Sequence, residues 1–88
     1  MKVSVTRMFT KDLSKFKDPR VLKKIKDIIE IMENVSNFND IDNLKKIQGH
    51  ATYYRIRVGD YRLGLKIESE QITLMRFLHR REIYRYFP

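Results

Sequence analysis

Apolar residues recur along this chain with two different periods, and the change of period marks the elements. From Lys2 to Arg7 they alternate, with Val3 and Val5 on one side, which predicts a short strand. Phe9, Leu13 and Phe16 then follow at helical spacing and predict a short amphipathic helix. Asp18-Pro19 ends it and begins the next: aspartate caps a helix, and proline fits the first helical position, where no amide is needed. Val21, Leu22, Ile25, Ile28, Ile29, Met32 and Val35 form one stripe of a second, longer helix, with Lys23, Lys24, Asp27, Glu30 and Glu33 largely on its other faces. The short connection makes the two helices a hairpin, and the stripe is a packing surface for a sheet.

The second half of the chain returns to a period of two. Residues 34–43 are rich in Asn, Asp and Ser and predict a loop, and Leu44–Ile47 fits a short strand before the turn residue Gly49. In Tyr53–Val58, Tyr54, Ile56 and Val58 point one way and Tyr53, Arg55 and Arg57 the other. Gly59-Asp60 makes a compact turn. In Tyr61–Glu68, Tyr61, Leu63, Leu65 and Ile67 share a face, and Arg62, Gly64 and Lys66 share the opposite one. Ser69-Glu70 turns the chain into Gln71–His79, a strand apolar on both faces, as suits a central or doubly covered position. Residues 80–88 form a short turn or helical tail. The expected fold is α+β: an antiparallel sheet with an N-terminal helical hairpin packed on one face, in the order β-α-α-β-β-β with room for one more short strand. At 88 residues it makes a single domain spanning 1–88.

Composition narrows the chemistry. There is no cysteine, hence no disulfide, no thiolate zinc site and no thiol nucleophile. The longest apolar runs are a few residues, too short to span a bilayer, and the first residues lack the apolar stretch of a signal peptide. A cytoplasmic protein without membrane association is the expectation. The net charge of +8 is unevenly placed: residues 1–44 carry nine Lys/Arg against seven Asp/Glu, and residues 45–88 carry ten against four. Seven of the nine arginines lie between Arg55 and Arg85. Arginine is a planar, permanently charged fork that fits phosphate oxygens, so the clustering points to an anionic partner.

The strand pattern sharpens this. If the helices cover the face of Tyr54, Ile56, Leu63 and Leu65, then Arg55, Arg57 and Arg62 stand together on the other face, with Arg57 and Arg62 flanking one hairpin turn. Like charges side by side on a sheet cost stability, so a sequence that gathers them is placed to bind something anionic. Other chemistries lack their residues. There is no glycine-rich phosphate loop, no HExxH, no paired carboxylate site for metal ions, and no triad context for serines such as Ser36. No cofactor, metal or small-molecule ligand is expected. His50 reads as an exposed loop residue. His79 ends a strand and is followed at once by Arg80, Arg81 and Tyr84.

Three stretches together resemble a known family. Leu44-Lys45-Lys46-Ile47-Gln48-Gly49-His50, then Tyr53-Tyr54-Arg55-Ile56-Arg57-Val58-Gly59-Asp60-Tyr61-Arg62, then Leu78-His79-Arg80-Arg81-Glu82-Ile83-Tyr84, resemble the RelE/ParE superfamily of type II toxins across essentially the whole chain. The superfamily includes ribosome-dependent mRNA endonucleases and gyrase inhibitors. The RelE-like branch implies metal-free cutting of mRNA in the ribosomal A site, by attack of a ribose 2′-hydroxyl on the adjacent phosphate. It also implies a cognate RelB-like antitoxin, whose segment buries apolar residues on this domain and sets acidic ones near the arginines. By this resemblance Arg62 and Arg80 stabilise the phosphate and its transition state, with Tyr84 stacking on a base or orienting the reacting groups. Arg55, Arg57, Arg81, Lys45 and Lys46 hold the RNA backbone. Arg55 and Arg57 stand where well-known relatives carry lysines, and arginine is a poor base, so the resemblance leaves His79 first and Tyr84 second as proton acceptor. The alternatives are a ParE-like gyrase inhibitor that is not an enzyme, or an inactive nucleic-acid-binding homologue.

Overall fold

The alternating strands pair as their turns dictate. In the computed structural model, which describes residues 1–88, β3 (Tyr53–Val58), β4 (Tyr61–Glu68) and β5 (Gln71–His79) form an antiparallel ladder, and β2 (Leu44–Lys46) extends it beside β3. β1 (Lys2–Val5) completes the order β1-β5-β4-β3-β2. It runs parallel to β5, so the sheet is mixed and the wholly antiparallel expectation is corrected. The reason is local: β1 leads into the helical layer, not into a tight hairpin, so no turn fixes its direction.

Two turns set the register. Val58 faces Tyr61 across a two-residue loop in which Gly59 takes a φ of 59°, the left-handed first position of a tight hairpin turn. Ser69 and Glu70 close the next hairpin at φ of 46° and 64°, a region that side-chain-bearing residues rarely occupy. Between β4 and β5 the ladder slips: Leu65 faces Leu74 but Gly64 faces Arg76, and Met75 is left over as a bulge. The junction of β1 with the first helix holds this bulge, since the Thr6 hydroxyl donates to the Met75 carbonyl at 2.9 Å.

Helices α1 (Arg7–Ser14) and α2 (Pro19–Asn34) each start at a side-chain cap, the second at the Asp18-Pro19 pair expected for it. Thr6 accepts the Phe9 amide at 3.0 Å, and Asp18 accepts the Arg20 amide at 2.9 Å ahead of Pro19. Both helices bury their apolar stripe on one sheet face. Phe9, Ile25, Met32, Ile56, Leu63, Leu65, Ile72, Leu74 and Phe77 are each at most 2% exposed in that core. Leu22, assigned to the stripe, lies on its flank and is half-exposed. No helix is long and apolar enough to cross a membrane.

One buried carboxylate ties the helical layer to the sheet edge. β5 outruns β1, so its amides beyond the end of β1 have no strand to pair with. Asp12, 2% exposed, accepts the Phe77 amide at 3.0 Å and the Arg76 guanidinium at 2.8 and 3.1 Å. The hydrogen bonds that Arg76 donates to Asp12 push the Arg76 pKa upward against the effect of burial, so the guanidinium stays charged. Removing one member strands the others. Asp12→Ala is expected to cost about 3 kcal/mol, lowering the melting temperature by roughly 15 °C, measured by thermal and urea unfolding.

Candidate nucleic-acid interface

The strand period that buries one sheet face presents the arginines on the other. Cross-strand rows can be read from the register. Arg57 faces Arg62 directly, with Leu78 next in line, and Lys45, Arg55, Gly64 and Arg76 form the neighbouring row. Arg55 and Arg62 are half-buried and Arg57 is exposed. Two guanidinium groups directly opposite each other are an arrangement that a sheet ordinarily avoids.

The C-terminal segment completes the site. As the chain leaves β5, the Arg80 amide donates to the Asp60 carbonyl at 2.8 Å, which fastens the segment to the β3–β4 turn. It then forms the short helix α3 (Ile83–Tyr86), and Ile83 and Phe87 sink into a small apolar cluster with Ile47, packed by Tyr53, Met75 and Leu78. The Phe87 ring lies where a side chain at position 64 would stand: a Cβ on Gly64 would meet it at 2.6 Å. Glycine inside a strand is explained here by close approach of the tail. Ile83 pointing inward leaves Tyr84 pointing out, 61% exposed, beside the arginines.

These groups act on one another. Arg62 donates from one terminal nitrogen to the carbonyls of Gly59 and Tyr61, both at 2.9 Å, which fixes its guanidinium against the turn. Its pKa is drawn down, chiefly by burial and then by the positive charges of Arg57, Arg55 and Arg80, while Tyr84 opposes the shift. Arg55, Arg57, Arg62, Arg80 and Tyr84 therefore share one electrostatic basin. None of the four arginines has a carboxylate partner, since the ion pairs of the fold are Arg20–Asp18, Lys23–Asp27, Lys66–Glu68 and Arg76–Asp12. No three His, Asp or Glu side chains gather as metal ligands.

Other candidates fall outside this basin. Lys45 shares the Arg55 row but at the sheet edge, whereas Lys46 faces Tyr54 and so belongs to the helix-covered side. His79 faces Tyr61 and is on that side too, by the same two-residue period. Its ring packs edge-on against Tyr61, and its Nδ1 accepts the Arg81 amide at 3.1 Å. Position 79 thus lies on the side of the sheet opposite Arg62. Arg81 is exposed in the turn after β5. Two positioning residues escaped the sequence reading, Gly64 and Phe87. The signal available for the first was a glycine in an otherwise regular strand.

Fold and site define a small basic α+β protein whose open sheet face is built to meet an anionic ligand. The family model described as the ParE toxin of the type II toxin-antitoxin system parDE matches residues 3–84. Toxin RelE3 of Methanocaldococcus jannaschii is 46% identical over 89 residues, covering all of both chains. This chain thus belongs to the RelE/ParE superfamily of type II toxins. A chain of the RelB-RelE antitoxin-toxin complex from Methanococcus jannaschii superposes with a TM-score of 0.82 at 41% identity, over 97% of this chain and 99% of that one. A chain of the archaeal RelE-RelB complex from Pyrococcus horikoshii shares the fold, with a TM-score of 0.72 at 19% identity over 90% and 93%.

Two substitutions test the geometry. Gly64→Ala drives a methyl into Phe87 and should dislodge the tail, costing about 2 kcal/mol and raising amide exchange across residues 83–87 before the rest of the fold. Arg57→Gln should relieve the cross-strand repulsion, stabilising the free protein by about 0.5 kcal/mol. Urea melts at low salt should show that gain, and it should fade in about 1 M salt, where the Debye length is near 3 Å.

Proposed function

We propose that this toxin is an endoribonuclease that cuts mRNA in the ribosomal A site, in the cytoplasm, and that a RelB-like antitoxin silences it. The observation that supports the reading is the placing of Arg55, Arg57 and Arg62 in adjoining rows of one sheet face, with Arg80 and Tyr84 of the C-terminal segment near enough to act on Arg62 and none of the four arginines paired with a carboxylate. A phosphodiester placed there meets fixed guanidinium donors at the oxygens where charge grows during reaction. The ribose 2′-oxygen attacks phosphorus, the bond to the 5′-oxygen breaks, and a 2′,3′-cyclic phosphate and a 5′-hydroxyl result. The ribose supplies its own nucleophile, so this chemistry requires no metal ion. Arg62 and Arg80 take the non-bridging oxygens, Arg55 and Arg57 hold the flanking backbone, and Lys45 extends the track. Among the gathered side chains Tyr84 alone both gives and accepts a proton, so we assign it proton transfer; it also offers a ring for stacking.

The same unpaired cations suit a RelB-like antitoxin that sets carboxylates against them, as the solved RelB-RelE relative supports. A second reading, ParE-like inhibition of DNA gyrase by binding alone, is favoured by the description of the matching family model. Cleavage by purified protein on translating ribosomes, read by primer extension, separates the two. In-frame cuts are expected, with Arg62→Ala reducing the rate about 100- to 1,000-fold and Tyr84→Phe about 100-fold or more. Intact mRNA together with inhibited supercoiling would replace this reading with the second.

A further inference from the structure

The one-turn helix α3 carries Tyr84, and the placement of that ring depends on how the helix is held. Ile83 and Phe87, one turn apart, are buried in the small apolar cluster and set how deep the helix sits. The hydrophobic effect is non-directional, so these two anchors hold the roll of the helix about its own axis only weakly. At about 100° per residue, Tyr84 and Tyr86 lie on opposite flanks of the buried Ile83–Phe87 side. Both rings are exposed. Tyr84 stands on the flank that acts on Arg62, and Tyr86 on the flank that faces Arg76.

Arg76 is a rigid support for that second flank. Its guanidinium carbon lies 5.9 Å from the centre of the Tyr86 ring, within reach of a cation–π contact. The guanidinium plane is not free to turn. Asp12 of α1 grips it at two points, Nε at 2.8 Å and a terminal nitrogen at 3.1 Å. The backbone beneath is fixed as well: Arg76 follows the Met75 bulge, whose carbonyl accepts the Thr6 hydroxyl, and it pairs with Gly64. In the row of Lys45, Arg55, Gly64 and Arg76, Arg76 alone is paired with a carboxylate. Its charge is thus engaged, which suits it to hold the tail and not to bind a phosphate. A buried carboxylate of the helical layer, an arginine of the sheet and a ring of the tail therefore form one chain of contacts that ends two residues from Tyr84.

We propose that the Arg76–Tyr86 contact sets the roll of α3, and with it where the Tyr84 ring stands against Arg62. Arg76 and Tyr86 are positioning residues, and Asp12 is their brace. The catalytic consequence rests on the proton-transfer role given to Tyr84, and the experiment separates the two. Tyr86→Leu keeps an apolar side chain and removes the ring face, Tyr86→Phe keeps the face and drops the hydroxyl, and Arg76→Lys keeps a charge for Asp12 and loses the planar fork. Thermal melts check each fold; if Arg76→Lys does not fold, the Leu and Phe variants at position 86 carry the test. In cleavage of ribosome-bound mRNA, Tyr86→Leu and Arg76→Lys should each lower kcat about 10- to 100-fold with KM changed less than about threefold. Tyr86→Phe should stay within about threefold of wild type, because it presents the same ring face. In a Tyr84→Phe background, Tyr86→Leu should cost less than about threefold, since the group it positions is gone. A second readout needs no cleavage: NMR of the full chain with labelled tyrosine rings. The Tyr84 ring resonances should move in Tyr86→Leu and Arg76→Lys and keep their wild-type positions in Tyr86→Phe. Tyr84 resonances unmoved in Tyr86→Leu overturn the proposal. So does a raised KM with unchanged kcat in that variant, which would make Tyr86 a direct RNA contact, or equal loss of activity in Tyr86→Phe. Resonances that move as expected, in a protein whose Tyr84→Phe variant cuts as fast as wild type, would remove the proton-transfer role and leave the positioning contact standing.

Discussion

The contact of the Phe87 ring with the bare backbone of Gly64 decides what the sheet can do. A sheet five strands wide has two faces to account for, and the helices cover only one. On the other, a side chain at position 64 would hold the tail away. Without one, Ile83, Phe87 and Ile47 close a second, small apolar layer over part of the face. That layer is what brings Tyr84 and Arg80 from the end of the chain to arginines some twenty residues earlier. The site is a by-product of a packing solution: residues 83 and 87 point inward, one helical turn apart, and residue 84 between them must point out.

The remainder of that face is left electrostatically unsatisfied in the free protein, which suits it to an anionic ligand. Arg57 faces Arg62, and neither is paired with a carboxylate. Arg62 is held by two backbone carbonyls, partial negative charges that orient the guanidinium without neutralising it. Its donors are therefore aimed before a ligand arrives, and little rearrangement is needed when one does. The repulsion that the fold tolerates is removed when an anion enters, whether an RNA phosphate or the acidic segment of a partner. One arrangement would serve both the proposed RNA substrate and an acidic inhibitor.

Much of this was legible in the sequence because two-residue alternation is a strict rule. It placed Arg55, Arg57 and Arg62 on a common face, opposite Ile56 and Leu63, and the register agrees. The same rule, carried to the ends of the strands, would have put Lys46 and His79 on the helix side. His79 adjoins Arg80 and Arg81 in sequence, but proximity along a strand end says nothing about facing. The direction of β1 was not legible, since it depends on which edge the strand joins after the helical layer is laid down. Nor was Asp12, which reads as one polar residue of a helix yet is the buried cap of an unpaired strand edge. The role of Asp12 follows from β5 outrunning β1, a length mismatch with no signature in either segment.

The placement of the two basic residue types carries the last step. Lysine dominates one stretch of the chain and arginine the basin: residues 11–26 hold six lysines and one arginine, while the cations gathered around Arg62 are Arg55, Arg57 and Arg80. A surface needing only solubility has no reason to sort them. Arginine gives a directional fork, keeps its charge when half-buried and stacks on rings, so it suits a place where a phosphate must sit in one orientation. Lysine gives a mobile, strongly hydrated charge on a long stem, so it suits a surface where charge matters and geometry does not. Arg62 is half-buried and its charge persists between two carbonyls, whereas an ammonium there would lose the planar fork that reaches both the turn and a ligand. The sorting therefore marks where orientation is being enforced, and it coincides with the rows on which Gly64 and the C-terminal tail converge.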